Sequence, residues 1–364
     1  MIGLPESLHR RGRPCLPYVA LTIVTAAAAD PPTVDVWYGD RQAVNAQGVA
    51  TPTVHVLGRV SEPADAVSAS YSVNGRGRTP LTIGPDLHRL AGAGDFNAEV
   101  DRADLRVGEN TVRIAFWTRR GVPVRKDVTL VVAEPKPWPL PYAVDFREVE
   151  RLTDVVEVTD GLWELTADGV RTAAPYYDRV LAFGDASWRD YELYAEVIVH
   201  RRFPPTDGRR TNGPPYLDHT HTSFNLRWAG FPDDGWQPRR DWQAVGSLVA
   251  MRSDLRVPNA GSYWWMHFGR GVPGVKAKRS VMTKETRLPF PKGVPHAYRM
   301  RVRTTGDRSA RYSAKAWPLG EPEPAEWQMV AEDAAEAVPG GCAAFVVHHS
   351  DSTLRRVEVT PLGD

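Results

Sequence analysis

Between Trp188 and His200 the chain alternates: Tyr191, Leu193, Ala195, Val197 and Val199 fall on one side of an extended backbone, and Glu192, Tyr194, Glu196, Ile198 and His200 on the other. A period of two is the signature of a strand with one face in a core. A chain that repeats this pattern can bury its apolar faces only by stacking sheets. Helical periodicity is hardly visible anywhere, and 31 prolines and 30 glycines cut the sequence into short elements, as in an all-β protein. At 364 residues the chain exceeds the roughly 250 to 300 at which single cores stop growing, so two domains are expected.

Lys plus Arg at 45 against Asp plus Glu at 44 leaves a formal charge of +1, without the basic excess that binding a phosphate backbone requires. Nucleic acid is therefore not an expected partner. Arg10, Arg11 and Arg13 precede the apolar run Leu16 to Val24 and the alanines Ala26 to Ala29, the three regions of a secretory signal peptide over residues 1–29. Its apolar part is about 14 residues against the roughly 20 that span a bilayer. The expectation is a secreted protein, extracellular or periplasmic, with no membrane span in the mature chain. Cys15 would leave with the signal, so Cys342 would stand alone as a small core residue and no internal disulfide would form.

Residues 31–134 read as about seven short strands: Thr33 to Tyr38, Thr53 to Val60, Val67 to Val73, Leu81 to Ile83, Phe96 to Val100, Thr111 to Trp117 and Val128 to Val132. Asn74-Gly75 supplies the two positive-φ residues of a tight hairpin. On Tyr71 to Gly75, Gly94-Asp95-Phe96 and Leu105 to Asn110, this stretch resembles the immunoglobulin-like sandwiches found beside catalytic or lectin domains in exported bacterial proteins. That likeness concerns fold alone. Alternate prolines from Glu134 to Pro141 predict a stiff linker at residues 135–141.

Residues 142–364 carry more strands with longer loops, a number that suits a two-sheet jelly roll. Gly161 to Leu165, Ser187 to Glu192, Lys315 to Trp327 and Leu354 to Leu362 resemble, in that order, the concanavalin A-like (laminin G-like) jelly rolls of exported bacterial proteins, including relatives assigned to glycoside hydrolysis. The predicted fold is thus all-β, an N-terminal immunoglobulin-like sandwich followed by a C-terminal concanavalin A-like jelly roll. The resemblance implies a polysaccharide ligand on the concave face. A structural calcium ion (Ca2+) bridging sheet edges fits the family, without assignable ligands.

Three strands put functional side chains on the face opposite their apolar one. One offers Glu192, Tyr194 and Glu196; the second His221, Ser223, Asn225 and Arg227; the third Tyr263, Trp265 and His267. If they share a sheet, these rings and hydrogen-bonding groups suit a sugar's apolar face and its hydroxyls. Trp236 and Trp242, in a proline-broken segment, either edge such a cleft or pack back on the sheet.

An enzyme on the same platform is the alternative. A glycosidase needs two carboxyl groups about 5 to 9.5 Å apart. Glu192 and Glu196 are about 13 Å apart at roughly 3.3 Å per residue, so a partner such as Asp218, Asp233 or Asp241 would be needed. A lyase needs a cation and a base, for which Arg227, His221 and Tyr263 are the right types. His219 and His221 with Asp218 offer a partial metal site, His-x-His aiming two imidazoles one way, but no third ligand is evident. His348-His349 reads as structural. No phosphate loop, nucleophile elbow or paired-cysteine zinc site occurs.

Overall fold

A computed structural model describes residues 32–363 except 87, 120, 122, 204–218, 240–245, 255–260, 271–278, 284–286 and 335–336. The predicted signal peptide lies outside the described residues. The first sandwich comprises β1 (Val34–Val36), β2 (Arg41–Val44), β3 (Thr53–Val60), β4 (Ala66–Val73), β5 (Arg78–Leu81), β6 (Asp95–Asp101), β7 (Gly108–Thr118) and β8 (Pro123–Val132). Its 3-stranded sheet runs β1-β3-β6 and its 5-stranded sheet β2-β8-β7-β4-β5, with β2 parallel to β8. Val56, Phe96 and Val100 of one sheet interdigitate with Tyr71, Ile114 and Phe116 of the other, which is why alternate positions in each strand are apolar. Asn74 and Gly75 take φ of 51° and 74°, the turn predicted for them.

The second sandwich comprises β9 (Tyr142–Asp145), β10 (Glu157–Asp160), β11 (Trp163–Thr166), β12 (Gly169–Thr172), β13 (Arg179–Phe183), β14 (Tyr191–Arg202), β15 (His219–Trp228), β16 (Gly246–Asp254), β17 (Ser262–Arg270), β18 (Arg279–Met282), β19 (Pro295–Gly306), β20 (Ser309–Pro318), β21 (Met329–Asp333), β22 (Cys342–His348) and β23 (Ser350–Pro361). Among the described residues the 7-stranded sheet runs β10-β13-β22-β15-β16-β17-β18 and the 8-stranded sheet β11-β12-β23-β14-β19-β20-β21, with β9 paired to β23. Phe224, Met266 and Phe345 of the first meet Leu193, Tyr298 and Val357 of the second in one apolar core. Cys342 is buried there and free, its thiol donating to the Trp228 carbonyl at 3.3 Å. The sequence missed β2, β9 and β18, each of 4 residues and too short to show a period. The fold is all-β.

The two sandwiches meet across β3, β6 and β10. Ala50 and Leu57 of the first belong to the apolar core of the second. Beside them Arg89, fully buried, donates to Glu99 at 2.5 Å and Asp160 at 2.6 Å, and Arg179 also donates to Asp160. Asn97 donates to the Thr159 carbonyl at 3.0 Å. Buried charges are tolerated only when paired and hydrogen-bonded, and each of these is. The proline-rich segment between β8 and β9 is exposed at residues 133–137 and 139 and anchored at one residue. Trp138 within it is buried, its backbone N–H donates to Asp185 at 2.8 Å, and its carbonyl accepts from the Trp188 indole at 3.0 Å. An indole at its centre gives this stretch more to gain from the core than from water.

Candidate functional site

Strand parity fixes what the 7-stranded sheet shows to the outside. Thr222, Phe224 and Leu226 of β15 face the other sheet, so His219, His221, Ser223 and Asn225 face outward. Register then lays out rows across four strands. One row reads His348, His221, Arg252 and Tyr263; the next, Val346, Ser223, Ala250 and Trp265; the third, Ala344, Asn225, Leu248 and His267. Of these rows only Trp265 and His267 are partly exposed; the others, Ala250 among them, are buried.

At one corner of this face the ligand atoms of His219, His221 and His348 all lie within 4.8 Å of one another. The rings of His221 and His348 stack with centroids 4.6 Å apart and planes 3° apart, and His219 stacks on His348 at 5.0 Å and 15°. They are 9 %, 5 % and 6 % exposed respectively. Burial, then the neighbouring His348 and His219, hold the His221 imidazole well below its ordinary protonation range, so that it is neutral at neutral pH. His348 Nδ1 pairs with Asp178 Oδ1 at 2.9 Å. Burial raises the Asp178 carboxyl well above its usual range. His221 Nδ1 lies 3.0 Å from Ser223 Oγ, which itself donates to the Val346 carbonyl at 3.0 Å. The single hydroxyl proton is thus spent on Val346, which makes His221 Nδ1 the donor and leaves Nε2 with the lone pair.

Around this corner the Arg252 guanidinium sits 5.0 Å from the Trp265 ring centroid. Trp265 in turn lies 5.8 Å from His219 and 5.9 Å from His221. Tyr263 donates to Asp254 at 3.0 Å, and Arg287 donates to the same carboxylate at 3.1 Å. Burial pushes the Tyr263 phenol up to about 12, so it stays protonated and donates.

Other residues expected at the site stand elsewhere. Glu192, Tyr194 and Glu196 lie on β14, in the 8-stranded sheet, so the three strands do not share a sheet. Glu192 is held at 2.5 Å by both Arg299 and Arg301 across the β14–β19 pairing. The Tyr194 hydroxyl donates to Glu196 at 3.3 Å. Arg227 follows a register shift after Asn225 that ends the strict alternation, and takes a φ of 54°. Its guanidinium is buried on the carbonyls of Arg189 (2.8 Å) and Val338 (3.0 Å), Asp190 (2.8 Å) and Thr304 (2.7 Å). It is a structural staple, and the lyase trio of Arg227, His221 and Tyr263 is not assembled. Asn225 faces outward but is buried. Tyr263 is buried too, engaged through its hydroxyl, and His267 packs against Trp265. Trp236 is 49 % exposed, in a segment whose next residue, Gln237, donates to Tyr71 and the Glu99 carbonyl of the first sandwich, so it does not edge this face. Trp242, Asp218 and Asp241 lie outside the described residues. Asp233 accepts from the Gly235 N–H at 3.0 Å.

His348, Asp178 and Arg252 were not singled out as partners of this corner. His-x-His at positions 219 and 221 was the available signal, and only register brings the third imidazole from 127 residues away, 348 less 221. Three ring nitrogens do not suit calcium, which takes oxygen ligands, so this cluster is not the calcium site implied by the resemblance.

No family model matches the chain, and no curated protein matches it in sequence. Among solved structures it is similar to a carbohydrate-binding module from the β-sandwich superfamily, with 8% identity and a TM-score of 0.20 over 92% of this chain and 98% of that one. It is similar also to the SGBP-B protein of the Bacteroides ovatus mixed-linkage glucan utilization locus, in complex with a mixed-linkage heptasaccharide, with 12% identity and a TM-score of 0.20 over 92% and 100%. The secreted serine protease VesC from Vibrio cholerae matches with 9% identity and a TM-score of 0.17 over 90% of this chain and 49% of its own. Scores this low carry neither topology nor function across. What the fold and site define is an all-β protein of two packed sandwiches with a histidine-rich outward sheet face. No helix among the described residues is long and apolar enough to cross a membrane.

Proposed function

We propose that the chain is an exported glycan-binding protein, an immunoglobulin-like sandwich packed on a concanavalin A-like jelly roll, that takes a polysaccharide on the outward face of the 7-stranded sheet. The observation that carries this reading is Trp265, partly exposed amid Arg252, Asp254 and the imidazoles. A sugar ring offers C–H groups to an indole and hydroxyls to charged, hydrogen-bonding neighbours, and this face supplies both within one corner. A structural calcium ion at a sheet edge belongs to the same reading. Binding isotherms against a panel of soluble polysaccharides test it. At least one should bind, and Trp265→Ala should weaken that affinity at least about tenfold, roughly 1.4 kcal/mol. A panel without any binder, or a Trp265→Ala protein that binds as the parent does, overturns the reading.

A second reading, cleavage of the bound glycan, is favoured by one observation. The Asp178–His348 pair is a buried carboxyl holding an imidazole, the arrangement that orients a general base. Release of reducing ends or unsaturated products from a bound glycan distinguishes it from binding alone.

A further inference from the structure

We propose that His219, His221 and His348 hold one divalent transition-metal ion of the zinc type. The inference stands apart from the glycan reading, since such an ion could be held with or without a saccharide.

Four observations converge on it. Two imidazoles come from one strand at i and i+2, hence from one face, and the third lies directly across the ladder from His221. Their ligand atoms are mutually within 4.8 Å. Tetrahedral zinc with metal–nitrogen bonds near 2.0 to 2.1 Å places its ligand atoms about 3.4 Å apart. Closing the present spacing requires displacements of about 1 Å. Because the rings now stack within 3° to 15° of parallel, they must also rotate about χ1 and χ2 to aim their lone pairs at one ion.

The second observation is the shell behind the rings. A metal-bound histidine almost always uses its other nitrogen on a carboxylate, carbonyl or hydroxyl, which fixes the tautomer and aims the lone pair. Here Asp178 engages Nδ1 of His348, and Ser223, itself pinned to the Val346 carbonyl, engages Nδ1 of His221. Nε2 is then the ring nitrogen on each that would ligate. Third, the donors are of the right kind: neutral imidazoles suit zinc, copper and nickel, and suit magnesium or calcium poorly. Fourth, apolar burial alone does not account for three stacked imidazoles. Bringing such polar rings together out of water costs desolvation that a shared cation would offset.

Three protein ligands leave a fourth position for water or a ligand oxygen. Trp265 and Arg252 are the neighbours of that corner, so an anionic or hydroxyl oxygen would meet the metal beside a cation and an indole.

The test is calorimetric titration of zinc chloride into the tag-free full chain after chelator treatment and dialysis, with metal content of the untreated protein measured in parallel. The expected result is one equivalent of zinc, with affinity reduced at least 100-fold in His221→Gln and in His348→Gln. Asp178→Asn, a positioning change, should weaken binding by 10- to 100-fold with unchanged stoichiometry. Absence of a saturable equivalent, or equal affinity in parent and glutamine variants, overturns the proposal. If a glutamine variant does not fold, the cobalt-substituted parent decides. Visible absorption bands of tetrahedral cobalt with nitrogen ligands support the site, and a spectrum of hexa-aqua cobalt alone contradicts it.

Discussion

Arg227 and His55 show at the level of single residues how burial decides a side chain's role. Arg227 was expected to face a ligand because it continues the alternation of His221, Ser223 and Asn225. The shifted register after Asn225 turns it instead into a buried cross-link between segments at Arg189–Asp190, Thr304 and Val338. Removing it would orphan those acceptors, Asp190 among them, so Arg227→Met should cost about 3 to 5 kcal/mol in urea unfolding while leaving zinc affinity within twofold. His55 lies between the two sandwiches, its Nδ1 donating to Asn97 at 3.1 Å and its Nε2 3.3 Å from the Thr53 hydroxyl. Burial lowers its pKa to about 4, outweighing the opposite pull of Glu99 at 3.8 Å and adding to the repulsion from Arg89 and Arg102. The unfolded chain, with a histidine near 6.5, takes up a proton that the folded chain refuses. Stability should therefore fall as pH drops from about 6.5 to about 4, by on the order of 3 kcal/mol, and change no further below that on this residue's account. A His55→Gln variant should flatten this part of the pH–stability curve; a parallel curve would contradict the assignment.

At the level of strands, the alternation in β14, β15 and β17 was legible, and so was each strand's polar face. Sheet membership was not, because it depends on pairings with β19, β22, β23 and β16 that lie from about 10 to well over 100 residues away in the chain. A strand shows its period locally and its neighbours only through the whole fold. Hence Glu192, Tyr194 and Glu196 were placed with His221 and Trp265, although β14 belongs to the opposite sheet. Glu192 neutralises Arg299 and Arg301 across the β14–β19 pairing. With Arg299 and Arg301 partly exposed, Glu192→Gln should cost no more than about 1 kcal/mol, measured by thermal unfolding. It should alter neither glycan nor metal affinity, and a tenfold loss of either would restore β14 to the site.

For the whole molecule, chain length, strand spacing and the prolines between Val132 and Tyr142 lead to the expectation of two domains, whereas the described residues pack as one compact unit with two pairs of sheets. The joint between the pairs could not be read, since Arg89, Glu99, Asp160 and Arg179 carry no local pattern and are brought together only by the packed fold. Burial pushes the Glu99 carboxyl up, but Arg89 and His55 outweigh it and hold it below the usual range, as expected of a paired interior carboxylate. Arg89→Ala should strand both acids, lower overall stability by about 3 to 5 kcal/mol, and split a single calorimetric transition into two as the sandwiches uncouple. The same packing that buries this joint also sets β22 beside β15 and so assembles the histidine corner from distant parts of the chain. The most direct measurement of that corner is a zinc-edge anomalous difference map from a crystal of the zinc-loaded chain. The account predicts one strong peak about 2.0 to 2.1 Å from a ring nitrogen of each of His219, His221 and His348. A map whose strongest peak lies at other residues, with none among these three imidazoles, would contradict it.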